Sequence, residues 1–462
     1  MIQLVHFSAI CVPVLAALLG PRLSRRSALQ ACSLVLLLST FLLVHGIPPE
    51  ISRLTLQVGT TDCLFLDGFS LWLLPYTAVI YLTILLCTPR AERTHGSTHR
   101  LLIGLSLDLA FFSASSPLAM SVIWVLTHLN LVWEIRQQPR NAGLTRLLRI
   151  LSLYMGAGCI FFLLGTWGLS QAGAPAWAYV SITLGIVLRK AIVPFHQWLP
   201  ELIERGPLGH VIAFCTPQLG AYALVRLLAP TASQELLVSL SAASLFTAAY
   251  GACLAFGRRS FRGTYAGLFM GQTSLVFAGL QCTTHASLAG GLALWISGGL
   301  ALTGLGLTVW ALIARRGRIN LDLYQGGFER SPLLAASFLI FGLAACGFPG
   351  TLGFLSQDLL LQGTTQEFPH IGALVAVTTA VNGITLMRAY LHLFCGSTAT
   401  YEVSQSLRPR ERLAMLLLLA PLFILGFYPV KFLMSRWRAA DHILQIRHII
   451  KETMNQPLGV RQ

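Results

Sequence analysis

The chain has 462 residues, of which 55% are hydrophobic and only 11% are charged, and its net charge is +15. An ordinary soluble domain carries about 25% charged residues, so this composition excludes a conventional water-facing surface. No polar interval is long enough to house a soluble catalytic domain. Because the positive charge lies between apolar runs, it does not indicate a nucleic-acid partner.

The apolar runs predict about fourteen transmembrane helices, since about 20 residues cross the roughly 30 Å of hydrocarbon in a bilayer. Residues 1–434 are therefore predicted to form an all-α, polytopic integral membrane domain. In chain order, the predicted helices are 3–20, 27–46, 69–87, 101–115, 117–133, 148–169, 176–194, 209–229, 235–257, 262–281, 286–313, 332–361, 371–394 and 412–434.

Positive charge alternates from one connection to the next. Since Lys and Arg mark the cytoplasmic side, this pattern predicts an inner (cytoplasmic) membrane protein with its N-terminus outside. The tail, 435–462, is basic where few positive charges are expected. Either one span is miscounted, or the tail is an amphipathic surface helix whose charges meet lipid headgroups or a partner. The basic connections are 21–26, 88–100, 134–147, 258–263, 314–331 and 395–412.

Two apolar stretches, 185–201 and 347–358, contain helix-breaking residues, which predicts that the seventh and twelfth helices are broken. Proline removes a backbone donor, and the freed carbonyls need protein or water partners at membrane depth. Transporters place ion or substrate sites at such breaks. In the alternative interpretation, Arg189 and Lys190 mark a helix end and reach the headgroups, and Asp358 is interfacial.

Other ionisable residues fall inside predicted helices. Arg388 and His392 end the thirteenth helix, as interfacial anchors or as members of an ion path. Asp108 and His128 lie in the fourth and fifth helices. A lone residue of this kind is more often packed or hydrogen-bonded than a proton relay, although any intramembrane ionisable group is a functional hypothesis.

Cofactor and metal chemistry find no support in the residue pattern. The ten cysteines form no CxxC or His/Cys cluster, so neither a disulfide framework nor a metal site is predicted. No nucleophile triad, phosphate-binding loop or cofactor motif is present, so no catalytic residue and no cofactor are expected.

Five segments together resemble the antiporter-like membrane subunits of respiratory complex I. They are VPFHQWLPE at 193–201, ERGP at 204–207, LGAYALVR at 219–226, DGFS at 67–70 and GFPGTLGF at 347–354. The resemblance is greatest to the subunit-4 type. The same family extends to multisubunit cation/proton antiporters, membrane-bound hydrogenases and inorganic carbon uptake systems.

The resemblance implies two inverted five-helix repeats, each with a broken helix, and a row of ionisable groups at mid-membrane. Such groups shift one another's pKa, so that moving one proton changes the next site. It also implies a lipid bilayer around the chain and other membrane subunits as partners, with a soluble or peripheral catalytic partner as a further candidate.

This chain departs from the family pattern at five positions of that row. Arginine keeps its proton at any physiological pH, so it can hold a charge but is a poor relay. The departures are Arg189 for the seventh-helix lysine, with Lys190 beside it; Trp124-Val125 where the fifth helix should carry a glutamate; Gln218 for the eighth-helix lysine; Gly298 for the eleventh-helix histidine; and Gln357 for the twelfth-helix glutamate, with Asp358 next.

The leading hypothesis is an antiporter-like subunit of a multisubunit proton-translocating or ion-coupled complex, with an altered proton path and no enzyme activity alone. The alternatives are a non-conducting membrane anchor for a partner subunit and the energising subunit of an inorganic carbon uptake system. The candidate path residues are Arg189, Lys190, His196, Glu201, Glu204, Gln218, Gln357, Asp358, Arg388 and His392.

Overall fold

The computed structural model describes residues 2–18, 25–45, 53–58, 61–89, 96–139, 141–171, 173–317, 319–396 and 406–455. Parts of five basic connections, namely 21–26, 88–100, 134–147, 314–331 and 395–412, and the end of the tail, 456–462, lie outside the described residues.

Helices make up almost all of the described chain. They are α1 (Ile2–Leu18), α2 (Arg25–His45), α3 (Leu73–Cys87), α4 (Ser97–Phe111), α5 (Pro117–Arg136), α6 (Ala142–Leu169), α7 (Ala176–Lys190), α8 (Trp198–Arg205), α9 (Leu208–Cys215), α10 (Leu219–Ala223), α11 (Gln234–Gly257), α12 (Phe261–Gly279), α13 (His285–Arg316), α14 (Pro332–Ala345), α15 (Leu352–Glu367), α16 (Pro369–Phe394), α17 (Pro409–Phe427) and α18 (Val430–Asn455).

Polar residues at the starts of the apolar runs set where several helices begin. The side chains of five N-cap residues each accept a hydrogen bond from the backbone N–H three positions later, which satisfies a donor that the helix itself leaves free. The five are Ser116, Asn141, Ser233, Ser260 and Thr284.

A hairpin interrupts the helical pattern of the described chain. Strands β1 (Arg53–Val58) and β2 (Thr61–Asp67) are antiparallel, with Arg53 opposite Asp67 and an irregularity between Leu56 and Gln57. The sequence predicted only a connection here, between the second and third helices. Apart from this hairpin, the fold of the described residues is all-α.

Eight helical spans of the described chain are long and apolar enough to cross a membrane, or nine if α17 and α18 count as one span bent by 84°. The helices α1 and α14 are also apolar but shorter, with 17 and 14 residues. The chain is thus a helical membrane protein, and about fourteen spans stays a prediction.

The helix α13 lies at the centre of the fold. It packs against α3, α12, α14, α15, α17 and α18, and its residues from Ser287 to Leu312 are buried. Small residues permit this, because a Cβ on Gly291 would lie 3.1 Å from the backbone carbonyl carbon of Gly279 on α12. Close backbone approach through glycine is how apolar helices associate where solvent supplies no hydrophobic driving force.

Charged groups collect at the two ends of the bundle. At one, the basic end, Glu201 pairs with Arg205 at 2.5 Å and Glu204 with Arg258 at 3.6 Å. At the other, the hairpin end, Asp67 pairs with Arg226 at 2.7 Å. Burial alone would raise the pKa of Asp67, but the Arg226 charge and the hydrogen bonds from Arg226 and Ser70 lower it below its ordinary value.

Candidate functional site

Two helix interruptions meet inside the bundle. The helix α7 ends at Lys190, and residues 191–197 are not helical before α8 begins. Residues 216–218 likewise separate α9 from α10. Ala191 and Gln218 have φ of 54° and 56°, a left-handed conformation that non-glycine residues rarely adopt and that is found most often at functional sites.

Lys190 and Gln218 join the two interruptions. The Lys190 ammonium donates to Gln218 Oε1 at 2.7 Å and to the Thr273 carbonyl of α12 at 3.4 Å, and it lies 5.4 Å from the centre of the Phe277 ring. The two joined residues are buried, with exposed fractions of 7% and 5%. The placement of Lys190 therefore differs from that of a lysine reaching headgroups.

A small cavity adjoins the ammonium of Lys190. It has about 30 Å³ of room for the centres of water molecules, and its lining includes Arg189, Lys190, Gln218 and Thr273. A polar cavity holds a water once about 10–15 Å³ of such room is present. The site can therefore contain a lysine that holds or releases a proton beside water.

Arg189 points to the other side of the break, toward α5. Its Nη1 donates to Thr127 Oγ1 at 3.0 Å and lies 3.3 Å from His128 Nε2. The guanidinium carbon lies 4.4 Å from the centre of the Trp124 ring and 4.6 Å from that of Phe214. The two adjacent basic residues thus enter different surroundings, as the turn of about 100° per helical residue requires.

The remaining candidates near the first break lie toward the basic end. His196 is half-buried, and its ring packs edge-on against Tyr250 with centroids 5.0 Å apart. Glu201 pairs with Arg205, and Glu204 pairs with Arg258. The Glu201–Arg205 pair lies within α8, and the Glu204–Arg258 pair joins α8 to the end of α11, so neither reaches Lys190.

The second break, residues 346–351, separates α14 from α15 and places neutral groups inside. Gly347 and Gly350 have φ of 74° and 88°, which glycine adopts without steric cost. Gln357 is buried and donates to the Ala345 carbonyl at 2.8 Å. Asp358 lies on the exposed side of α15 and accepts a hydrogen bond from Gln362 at 2.9 Å.

The eleventh-helix position is also neutral. Gly298 lies against the Gln272 side chain of α12, because a Cβ there would be 3.3 Å from Gln272 Cγ. At the end of α16, Arg388 donates to the Phe256 carbonyl at 2.6 Å, and the His392 ring stacks on Tyr324 with centroids 4.5 Å apart. The structure thus brings Arg189, Lys190 and Gln218 together and places the other seven candidates elsewhere.

Sequence reasoning named Asp108 as an intramembrane residue without selecting it for the path, and it did not select the buried residues Arg100, Glu134 and His210. Asp108 accepts a hydrogen bond from Tyr81 at 2.7 Å. Glu134 is ion-paired with Arg100 and lies 3.4 Å from His210. A position within a predicted helix was the available signal for Asp108 and His210, whereas Arg100 and Glu134 fall in the predicted connections 88–100 and 134–147. Among the described residues, no group of three or more His, Cys, Asp or Glu side chains could hold a metal ion.

Buried ionisable groups at helix interruptions, with water-sized cavities beside them, define a helical membrane protein of the ion-transport class. The comparison with known families agrees. The chain belongs to the NADH:quinone oxidoreductase/Mrp antiporter transmembrane family, whose model matches residues 91–383. The resemblance carried by the segments at 193–201, 204–207 and 219–226 is therefore confirmed.

Individual relatives are similar over different lengths. The chain is 33% identical over 236 residues to NADH-quinone oxidoreductase subunit 13 of Thermus thermophilus, a match that covers 48% of this chain and 49% of that protein. It is 24% identical over 409 residues to NAD(P)H-quinone oxidoreductase chain 4 of Synechococcus elongatus, covering 81% and 76%. The match thus spans about half the length of the Thermus relative.

Solved structures share the fold. A chain of respiratory complex I from Thermus thermophilus superposes with a TM-score of 0.86 at 22% identity, covering 96% of this chain and 99% of that one. A chain of the Mrp complex from a Dietzia species gives 0.83 at 16% identity, covering 96% and 99%. A chain of the archaeal membrane-bound sulfane sulfur reductase gives 0.82 at 17% identity, covering 97% and 98%.

Proposed function

We propose that this chain is an antiporter-like membrane subunit of a multisubunit ion-coupled complex in a cytoplasmic membrane, and that it moves protons along an altered axis. The observation that carries the proposal is the buried hydrogen bond between Lys190 and Gln218 at two helix interruptions. Lysine can hold or release a proton, whereas the neighbouring Arg189 keeps its charge. Lys190 is therefore the proposed carrier at this break.

The proposal includes the span count and the repeats. In it, the pairs α7 with α8, α9 with α10 and α14 with α15 each form one interrupted span, and together with the other helices up to α17 they make about fourteen. The broken seventh and twelfth helices then occupy equivalent positions in two inverted repeats. The proposal places other membrane subunits beside this chain, with a peripheral catalytic partner to be sought by co-purification.

Replacing Lys190 tests the function. The assembly that co-purifies with this chain is placed in proteoliposomes, a potassium diffusion potential drives protons inward, and a trapped pH dye reports their arrival. We expect Lys190→Met to abolish most of the chain's proton flux, because the replacement keeps the length of the side chain but cannot bind a proton.

The matched control is Lys431→Met, which changes an exposed lysine of α18 and should leave the flux unchanged. Asp358→Asn, tested in parallel, decides whether a carboxylate on the exposed side of α15 takes part. Equal flux in the wild-type chain and Lys190→Met would reject the proposed carrier.

A specific observation favours a second candidate, a non-conducting membrane anchor. The C-terminal half places Gly298, Gln272 and Gln357 inside, while its carboxylate Asp358 lies on the exposed side. If the chain is only an anchor, Lys190→Met leaves flux intact, whereas deleting the chain prevents assembly of its partners. Loss of flux in an intact Lys190→Met assembly would exclude this candidate.

A further inference from the structure

Within the described part of the chain, Arg189 is a buried cation that makes no contact with an anionic group. Its exposed fraction is 7%, and its contacts with Thr127, His128, Trp124 and Phe214 all involve neutral groups or ring faces. Among the described residues, no carboxylate lies within ion-pair distance of it, and its Nη2 has no hydrogen-bond partner. Several kcal/mol of desolvation free energy is a typical cost for a buried ion, so a compensating charge is expected nearby.

His128 cannot supply that charge, because an imidazole is either neutral or positively charged. Its Nδ1 lies 2.7 Å from the Trp124 carbonyl, and its two ring nitrogens lie 3.2 and 3.3 Å from Arg189 Nη1. Histidine thus orients the guanidinium but does not balance it.

Glu134 is already paired. It is fully buried, forms an ion pair with Arg100, and has His210 at 3.4 Å. Asp108, with an exposed fraction of 3%, is different: among the described residues it forms a hydrogen bond with Tyr81 at 2.7 Å and takes part in no ion pair. A carboxylate and a guanidinium, both buried and both unpaired, therefore lie in the same part of the bundle.

A cavity lies beside Asp108 and beside two of the residues that contact Arg189. It has about 20 Å³ of room for the centres of water molecules, enough for one water, and Asp108, Thr127, Asn130 and Phe214 are in its lining. Thr127 and Phe214 are also contacts of Arg189. Asn130 Oδ1 is buried and has no hydrogen-bond partner among the described residues, so the cavity is polar as well as large enough.

We propose that Asp108 is the counter-charge of Arg189, oriented by Tyr81 and joined to the guanidinium through a water molecule in this cavity. In this proposal, α4 supplies the carboxylate that balances the buried arginine of α7. Arg189 directly precedes the proposed carrier Lys190. This inference deepens the proposed function by naming a charge pair that positions and neutralises Arg189. Asp108 is in this sense a positioning residue.

A double-mutant cycle on the purified assembly tests the pair. Asp108→Asn leaves Arg189 without its counter-charge, Arg189→Gln leaves Asp108 without its partner, and the double variant removes both charges. We expect each single variant to lower the apparent Tm, and the double variant to regain most of that loss, because removing both charges also removes the cost of burying either one. Loss of Tm that simply adds in the double variant would overturn the pairing.

The control cycle combines Arg189→Gln with Asp322→Asn, which removes an exposed carboxylate near Arg259, and its two effects should add. Where a single variant fails to accumulate, the amount of assembled chain in membranes replaces the Tm. Recovery in the double variant then supports the pair, and no recovery rejects it. If the effects of Asp108→Asn and Arg189→Gln add while Lys190→Met loses proton flux, the proposed function stands and Asp108 is not the counter-charge. If the double variant recovers while Lys190→Met keeps its flux, the charge pair stands and Lys190 is not the proton carrier.

Discussion

The Lys190 side chain fits against α10 because residue 220 of that helix is a glycine. A Cβ on Gly220 of α10 would lie 2.9 Å from Lys190 Cγ and 3.0 Å from its Cδ. The lysine stem therefore occupies the space that any larger residue at 220 would fill. Gln218, two residues before Gly220, accepts a hydrogen bond from the Lys190 ammonium. A shift of the lysine stem would therefore also move the ammonium relative to Gln218.

Gly220→Ala is expected to displace Lys190 from Gln218. Adding a methyl group to a packed interior costs about 1–3 kcal/mol, whereas the same change in an open helix position gains about 0.5–1 kcal/mol. Proton flux and the apparent Tm of the reconstituted assembly should therefore both fall.

The matched control is Gly156→Ala on α6, where a new Cβ meets nothing within 4 Å and stability should hold or rise. If both variants behave alike, the packing of Lys190 against Gly220 does not position the ammonium.

At the scale of elements, α18 is attached to the hairpin end by buried side chains. Arg436 has an exposed fraction of 1% and donates to the carbonyls of Gly68 at 2.7 Å and Phe69 at 3.5 Å. Further along, Asp441 lies 2.6 Å from His285 of α13, and Arg447 donates to the Ala229 carbonyl at 2.8 Å. The helix α18 therefore contacts the residues after β2, the start of α13 and the segment after α10.

Arg436→Ala should loosen α18 while leaving the rest of the bundle in place. Hydrogen bonds to charged groups contribute about 1.5–3 kcal/mol, and the two carbonyls would lose their donor. Hydrogen exchange followed by mass spectrometry should show faster exchange across Val430–Asn455.

Arg438→Ala, two residues away and exposed, provides the comparison and should leave the exchange of α18 unchanged. Equal exchange in the two variants would mean that Arg436 does not hold the helix.

For the whole molecule, the connections at the two ends differ in charge. The connection after α11, at the basic end, contains Arg258 and Arg259, whereas the connections 230–234 and 282–285 at the hairpin end contain no Lys or Arg. The basic helix α18 also lies at the hairpin end, but it follows the last proposed span and connects no two spans. A bilayer protein keeps its Lys- and Arg-rich connections in the cytoplasm. The asymmetry therefore predicts one orientation, with the basic end inside and the N-terminus outside.

Labelling with a membrane-impermeant maleimide measures this orientation. In a background without native cysteines, Arg259→Cys should react only when the cytoplasmic face of the membrane is accessible, and Ser233→Cys only from the opposite face. Both residues are exposed and lie just before α12 and α11, so their replacement removes little packing, although Ser233→Cys also removes the N-cap hydrogen bond of α11. Labelling of Ser233→Cys from the cytoplasmic face would reverse the predicted orientation.

The sequence alone predicted the features that depend on local composition. Apolar runs predicted a helical membrane protein, because the free energy of placing a segment in lipid is nearly a sum over its own residues. The strings around His196 and Tyr222 carried the family, and the family model matches the part of the chain that contains them.

Other features required the tertiary structure. The packing of the helices decides whether Arg189 and Lys190 face lipid or the interior. It also brings His128 against Arg189 and gives Asp108 a cavity shared with its neighbours. The hairpin after α2 and the contacts of Arg436 with backbone carbonyls also join residues distant in sequence. Hydropathy determines which helices lie in the bilayer. The neighbouring helices determine which charged side chains face the interior, because the partners of those side chains come from elsewhere in the chain.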